Sequence, residues 1–418
     1  MNTVKYLILG AGVSGISAAN FLGPDEDYLI LEKTDSVGGY CKTIKQDGFT
    51  WDYSGHFFHF RYEKTRELVM KNIDPDRLLS VQKKTGIVYK EKIISFPFQR
   101  NISELPKEEF VECLRDYYFR AEKENYDNFL DWLYGSLGKG IVEKFVKPYN
   151  EKLYATNLEN LDVNAMGRFF PTTSLEEIMN SMNSKEDVSY NNTFLYPLDG
   201  AITYVNSLMK NVNNQKIIFG SEVIHIDTKN KYVMTKSNKY SYDKLISSIP
   251  LNNLIAISGQ VFNDRIYRSN KVVVFNLGFD RPSISDYHWL YIPDPNIIFY
   301  RVGFYDNILN ENRASMYVEI GMDSDVDFDE DNLLSKVLID LKIVGLLSDH
   351  VLVSKSVVVM NPAYIHLSQN SISDAKKQLE KLQNLDIFSI GRYGEWTYCS
   401  IEDNIVSAGK CIEKVLNE

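Results

Sequence analysis

An apolar run from Val4 to Leu9 breaks at Gly10-Ala-Gly12-Val-Ser-Gly15, and a second apolar run, Tyr28 to Leu31, ends in Glu32. The spacing predicts a strand, a tight glycine turn, a helix and a second strand. Gly10 makes the turn, Gly12 lets backbone approach a pyrophosphate, and Gly15 lets helix and strand pack closely. The helix N-terminus offers free N–H groups to phosphate oxygens. Glu32 follows Gly12 by about 20 residues, where a carboxylate takes ribose hydroxyls. Strand, helix and acid in register point to a dinucleotide-binding unit over residues 1–45.

The rest of the chain has room for more. Its 418 residues suit about two or three domains of roughly 150 residues each. A net charge of −10 argues against nucleic-acid partners, which need a basic surface. Cys41, Cys113, Cys399 and Cys411 have neither metal-ligand nor redox spacing, so no metal site is expected and a reduced, cytoplasmic setting is. No signal peptide and no membrane span are expected. Asn101-Ile-Ser and Asn191-Asn-Thr fit the glycosylation pattern but carry no weight without secretion. Residues 106–185 read as helical, with amphipathic stretches at 108–124 and 128–146. Residues 216–228, 232–249, 271–275, 297–301 and 387–390 read as strands. Helices are expected at 329–347, 370–384 and 403–416.

Further glycines narrow the ligand. Gly38-Gly39 follows Glu32, and Gly48-Phe-Thr-Trp-Asp-Tyr-Ser-Gly55-His56 comes next. A plain NAD enzyme needs neither; in a flavoprotein the first wraps the FAD pyrophosphate and the second lies beside the flavin ring. Near the C-terminus, Gly391-Arg392-Tyr-Gly-Glu-Trp supplies backbone N–H groups and a cation for the flavin. Asp403 is expected to N-cap the last helix and aim it at the flavin O2 region. Together these stretches resemble the FAD family of amine oxidases and protoporphyrinogen oxidase.

A narrower resemblance rests on Phe96-Pro-Phe98-Gln99-Arg-Asn-Ile-Ser, Phe145-Val-Lys-Pro-Tyr149-Asn150-Glu-Lys-Leu-Tyr154, Trp289-Leu-Tyr291-Ile-Pro with Phe299-Tyr-Arg301, and Gly391-Arg392-Tyr-Gly-Glu-Trp-Thr-Tyr398. In that order they resemble the UDP-galactopyranose mutases, in the eukaryotic-type form. The resemblance implies an α/β chain: a discontinuous Rossmann-type FAD domain (1–80, 192–245, 386–418), a helical substrate-side domain (106–191) and a mixed or antiparallel β-sheet substrate domain (81–105, 246–385). It implies an isomerase exchanging pyranose and furanose rings of a UDP-hexose, serving cell-surface polysaccharide synthesis. Reduced FAD would attack the anomeric carbon through N5, without net redox change. NADH or NADPH would be the reductant, and a homo-oligomer is possible. A flavin oxidase or desaturase of the amine oxidase type is the competing reading.

The same resemblance carries roles onto residues. Gly55 and His56 would lie beside N5; Gly10, Gly12, Gly15, Glu32, Gly38, Gly39, Arg392 and Asp403 would hold the cofactor. Phe96, Phe98, Gln99, Asn150 and Tyr154 would hold the uracil, with Phe96 standing where tyrosine is common and Tyr154 where tryptophan is. Trp289 belongs to the strand pair under the sugar diphosphate. Arg301 and Arg168 would clamp the diphosphate, Arg168 one residue out of the family spacing. Tyr291, Tyr364 and Tyr398 would donate hydroxyls to phosphate. From the residues alone, the lesser alternatives are that Arg301 is an edge arginine snorkelling to solvent and His56 a satisfied core histidine.

Overall fold

The computed structural model describes residues 2–183 and 193–417. Asn191 and the expected domain boundary at 191/192 lie outside the described residues. The first sheet has seven strands. Its order runs Val223–Asp227, Tyr232–Thr235, Lys239–Ser247, Asn2–Leu9, Tyr28–Leu31, Ile217–Ile218, with Ile387–Ser389 also pairing onto Lys239–Ser247. Around Asn2–Leu9 the pairing is parallel, so those strands are covered on both faces. Tyr6, Leu7, Ile8 and Leu9 are accordingly all buried, which explains the unbroken apolar run. Helix Val13–Leu22 lies against the last helix, Ile401–Asn417. At Gly15 a Cβ would fall 1.9 Å from the Gly10 carbonyl oxygen, so only glycine permits this helix to sit on its strand.

The second sheet has eight strands, ordered Leu352–Met360, Arg268–Phe279, Ser315–Asp323, Arg301–Phe304, Trp289–Tyr291, Thr85–Tyr89, Lys92–Ser95, with Ile365–His366 beside Arg268–Phe279. It is antiparallel except where Trp289–Tyr291 meets Thr85–Tyr89. Helix Glu330–Ile343 covers one face. Helices Lys107–Tyr118, Phe129–Leu137 and Lys147–Tyr154 close the other side. A π turn, Val142–Val146, leads directly into the last of these. Such turns re-aim side chains and cluster at functional sites.

Three expectations need correction. Residues 297–300 are not strand: the strand starts at Arg301, because the Ile297 and Ile298 N–H groups are taken by the Asp294 carbonyl and the Asp340 carboxylate, although Ile297 and Phe299 remain buried. The helix expected to reach 124 stops at Tyr118. Asp403 is not an N-cap; Ser400 caps the last helix by accepting from the Asp403 N–H at 3.1 Å, and Asp403 returns the bond to the Ser400 N–H at 2.8 Å. One feature was missed: Thr43–Gln46 and Phe49–Asp52 form a hairpin whose turn, Asp47-Gly48, has both φ values positive. An Asp-Gly pair between short strands is the sequence signal for that turn.

The hairpin is fixed at its end by Asp52. This fully buried carboxylate accepts from Thr43 Oγ1 at 2.5 Å, Tyr196 Oη at 2.7 Å and the Ala201 N–H at 2.9 Å. Burial nevertheless pushes its pKa up to about 6. The folded value lies above the unfolded one, so the folded state is favoured while the group is protonated, and that advantage disappears as pH rises through 6. Asp52→Asn should remove this dependence. Urea unfolding at pH 4 and pH 7 should show the wild type losing up to roughly 3 kcal/mol more than the variant across that interval.

Candidate functional site

Two glycine turns far apart in sequence make one floor. Gly10 has φ +93°, and the Gly38 N–H donates to the Ala11 carbonyl at 2.9 Å. Gly12 bridges Gly38, and a Cβ on Gly39 would lie 3.2 Å from the Gly12 Cα. Glu32 is buried beside them and accepts from the Ala11 N–H at 2.7 Å and the Thr34 N–H at 2.8 Å. The C-terminal loop docks on the same helix start. Asn404 Oδ1 accepts from Ser14 Oγ at 3.0 Å and from the Arg392 N–H at 2.8 Å. Nothing in the sequence singled out Asn404; its role depends on helices 390 residues apart in the chain crossing. Arg392 lies over the rings of Tyr398 and Tyr364, at 4.5 and 5.2 Å, and its buried Nε has no partner. These residues fit a dinucleotide with a ring at its far end: a glycine cradle for the pyrophosphate, a carboxylate for a ribose, and an unsatisfied cationic N–H. Among the described residues no cluster of metal-ligating side chains is present.

Between this floor and the second sheet lies the loop Ser54-Gly55-His56. The Ser54 carbonyl accepts from the His56 N–H at 2.7 Å and from Tyr305 Oη at 3.2 Å, and His56 Nδ1 is 3.1 Å away. Burial holds the His56 pKa down at about 4, with Glu319 opposing and Arg301 reinforcing the shift. The imidazole is therefore neutral at pH 7.

Beyond the loop, a cavity of about 180 Å³ opens beside helix Lys147–Tyr154. It brings together Phe96, Gln99, Asn150, Tyr291, Arg301, Tyr364 and Tyr398, seven of the expected substrate residues from distant segments. Phe96 stacks on Tyr291 at 4.8 Å and Tyr364 on Tyr398 at 6.2 Å. Asn150 Nδ2 donates to the Val146 carbonyl at 2.7 Å, leaving a buried Oδ1 without a partner. Gln99 Nε2 donates to the Pro171 carbonyl.

Four expected residues do not line the cavity. Phe98 is fully buried and stacks on Phe145 at 5.0 Å. Tyr154 is fully buried, donates to the Ala165 carbonyl at 3.3 Å and packs edge-on to Tyr364. Trp289 stacks on Phe57 at 5.0 Å, and its Nε1 donates to Tyr291 Oη at 2.9 Å. Each supports a lining residue rather than facing the space. Arg168 is the larger departure: its Nη2 meets both Asp403 carboxylate oxygens at 2.6 Å, on the protein's outer side. In this state its charge is matched by an acid and is not directed into the cavity. Phe145, Tyr149, Met166, Phe169 and Phe170 line the space without having been nominated. Phe145 and Tyr149 stack at 5.4 Å across one turn of the helix, an (i, i+4) aromatic pair visible in the sequence.

Arg301 is neither a snorkelling edge residue nor an unpaired cation. Its Nε and Nη2 donate to Glu319 Oε2 and Oε1 at 2.7 and 2.8 Å, and Glu319 is fully buried. Ser54 Oγ donates to the same carboxylate. Burial alone would raise the Glu319 pKa, but the guanidinium and these hydrogen bonds outweigh it and hold the group below the usual carboxylate range. The pair is ionised. Arg301 lines the cavity and has five N–H donors, of which the carboxylate takes two. Sequence reasoning passed over Glu319. Its signal was a lone acid inside the apolar run Tyr317-Val-Glu-Ile, which demands a buried partner.

Residues 8–71 match the family model for an NAD(P)-binding Rossmann-like domain. UDP-galactopyranose mutase of Mycoplasma genitalium is 24% identical over 306 residues, covering 65% of this chain and 70% of that protein. A crystal structure of reduced UDP-galactopyranose mutase superposes with a TM-score of 0.92 at 23% identity, over 100% of this chain and 94% of that one. This chain has the UDP-galactopyranose mutase fold. The α/β architecture expected from sequence and the resemblance to these mutases both hold. The same architecture extends to oxidases. A putative protoporphyrinogen oxidase from Exiguobacterium covers 100% of both chains with TM-score 0.79 at 17% identity. Cyclohexylamine oxidase from Brevibacterium oxydans covers 99% of this chain and 100% of its own, with TM-score 0.71 at 12% identity. Among the described residues no helix is long and apolar enough to cross a membrane.

The buried pair has a testable consequence. Glu319→Gln strands a buried cation and should destabilise the protein by about 3–5 kcal/mol. Replacing both partners, Arg301→Met with Glu319→Met, should recover most of that loss. Urea denaturation of the two singles and the double gives the coupling directly.

Proposed function

We propose that the protein is a sugar-nucleotide pyranose/furanose mutase working with reduced FAD, and that UDP-galactopyranose and UDP-galactofuranose are its first candidate substrates. The observation that carries this reading is the composition of the cavity. One part is aromatic with two amides, Gln99 and Asn150, suited to a nucleobase edge. Another is Arg301 with Tyr291, Tyr364 and Tyr398, suited to a pyrophosphate. An oxidase for apolar amines needs no buried arginine among tyrosine hydroxyls.

A reduced flavin bound on the glycine floor supplies a nucleophilic nitrogen for exchange at the anomeric carbon, with no net oxidation. The chain's own residues do the remaining work. Asn150 Oδ1 accepts from a base N–H. Arg301 grips the pyrophosphate by charge-assisted hydrogen bonds and retains it while its bond to the sugar is broken. Glu319 holds the planar guanidinium in one orientation, at the cost of part of its field. His56 remains uncharged and adds no second cation beside the developing positive charge at the sugar. The aromatic wall of Phe96, Tyr149 and Tyr291, with Trp289 and Phe57 stacked behind it, keeps water from the reacting sugar.

The protein should be purified, reduced anaerobically with dithionite and given UDP-galactofuranose. Chromatography should show UDP-galactopyranose. Oxygen consumption with peroxide release from an amine, and no sugar conversion, would instead assign it to the oxidases. Arg301→Lys keeps the charge but loses the paired geometry to Glu319 and phosphate, and should lower kcat/KM by about 30- to 1,000-fold.

A further inference from the structure

Strand Ser315–Asp323 presents Ser315, Tyr317 and Glu319 in alternation toward the site. Two of the three are satisfied. Ser315 Oγ accepts from Trp51 Nε1 at 2.9 Å, and Glu319 holds Ser54 and Arg301. Tyr317, between them, is fully buried, and its hydroxyl makes no hydrogen bond.

Backbone closes on this phenol from two directions. A Cβ on Gly303 would fall 2.0 Å from the Tyr317 ring, and one on Gly55 would fall 2.4 Å from its hydroxyl oxygen. Both positions are glycine, and the chain approaches the phenol as nearly as it can. Phenylalanine would fill the same space without burying a hydroxyl deprived of water. A buried hydroxyl without a partner is unfavourable, so it points to an acceptor met in another state of the site.

The surroundings identify that acceptor. The Ser54 carbonyl is already occupied by the His56 N–H and Tyr305. The Gly55 carbonyl accepts no hydrogen bond among the described residues. An unused donor and an unused acceptor thus lie beside the same glycine, one peptide from His56.

We infer that Tyr317 is a positioning residue whose hydroxyl donates to the Gly55 carbonyl when the cofactor is bound, fixing the Gly55–His56 peptide on the cofactor side. This rests on the flavin reading above. Tyr317 acts on the cofactor through backbone and does not touch the sugar nucleotide.

Tyr317→Phe tests it, with flavin-free wild type and variant each titrated with FAD and followed by visible absorbance. The variant should bind FAD about fivefold more weakly, the loss of one neutral hydrogen bond. Its visible bands should shift relative to wild type. Without flavin it should melt no lower than wild type, since the removed hydroxyl has no partner in that state. Equal affinity with superimposable spectra would overturn the proposal, as would a clear drop in the melting temperature of the flavin-free variant. Wild type that takes up no FAD would sink the flavin reading, and the proposal with it; wild type that binds FAD while Tyr317→Phe binds identically would sink the proposal alone.

Discussion

The ion pair between Arg301 and Glu319 is the contact on which the site is built. Two charges taken out of water are costly unless each is closely matched, and here two parallel hydrogen bonds join groups on neighbouring strands. The register places Arg301 directly opposite Glu319 in the antiparallel ladder. Any slip of one residue would turn one of them to the opposite face of the sheet. The pair therefore specifies the alignment of the strands that carry it, and with it the position of the cavity's cation.

The strand bearing Glu319 extends that control. Along one face it meets the 43–52 hairpin at Ser315, the Gly55 loop at Tyr317, and Ser54 with Arg301 at Glu319. At Gly321 the backbone of Lys152 and Leu153 comes so close that a Cβ would sit 2.1 Å from the Lys152 carbonyl oxygen. One strand thus sets the distance between the Gly55 loop, the arginine and the helix carrying Tyr149 and Asn150. The cavity beside Arg301 and the Gly55 loop are held by the same stretch of backbone, residues 315–321, which explains why side chains from such separate stretches converge.

Charge is handled locally. The chain carries a net charge of −10, yet two arginines near this region, Arg301 and Arg168, are each paired with a neighbouring acid. Arg301 is matched from within, by a carboxylate that solvent does not reach. Arg168 is matched at the surface by Asp403, where the pair is screened and weak. An anion competing for Arg168 meets little resistance. An anion at Arg301 adds to an existing pair instead of displacing it.

The sequence determined the local chemistry. Glycine spacing, the acid after the second strand and the buried apolar runs marked the nucleotide unit because those constraints act within about 40 residues. The ordered motifs around Phe96, Asn150, Arg301 and Tyr398 marked the pocket, and seven of their residues do meet there. Tertiary structure alone decided which residues face the cavity. Phe98, Tyr154 and Trp289 look like their neighbours on paper but stand one layer back, because helix phase and strand register select the face. It alone showed what Glu319, Asn404 and Tyr317 meet, because their neighbours lie hundreds of residues away or on adjoining strands. It alone paired Arg168 with Asp403. Sequence motifs record which groups are present; which of them satisfy one another is a property of distances that only the packed chain creates.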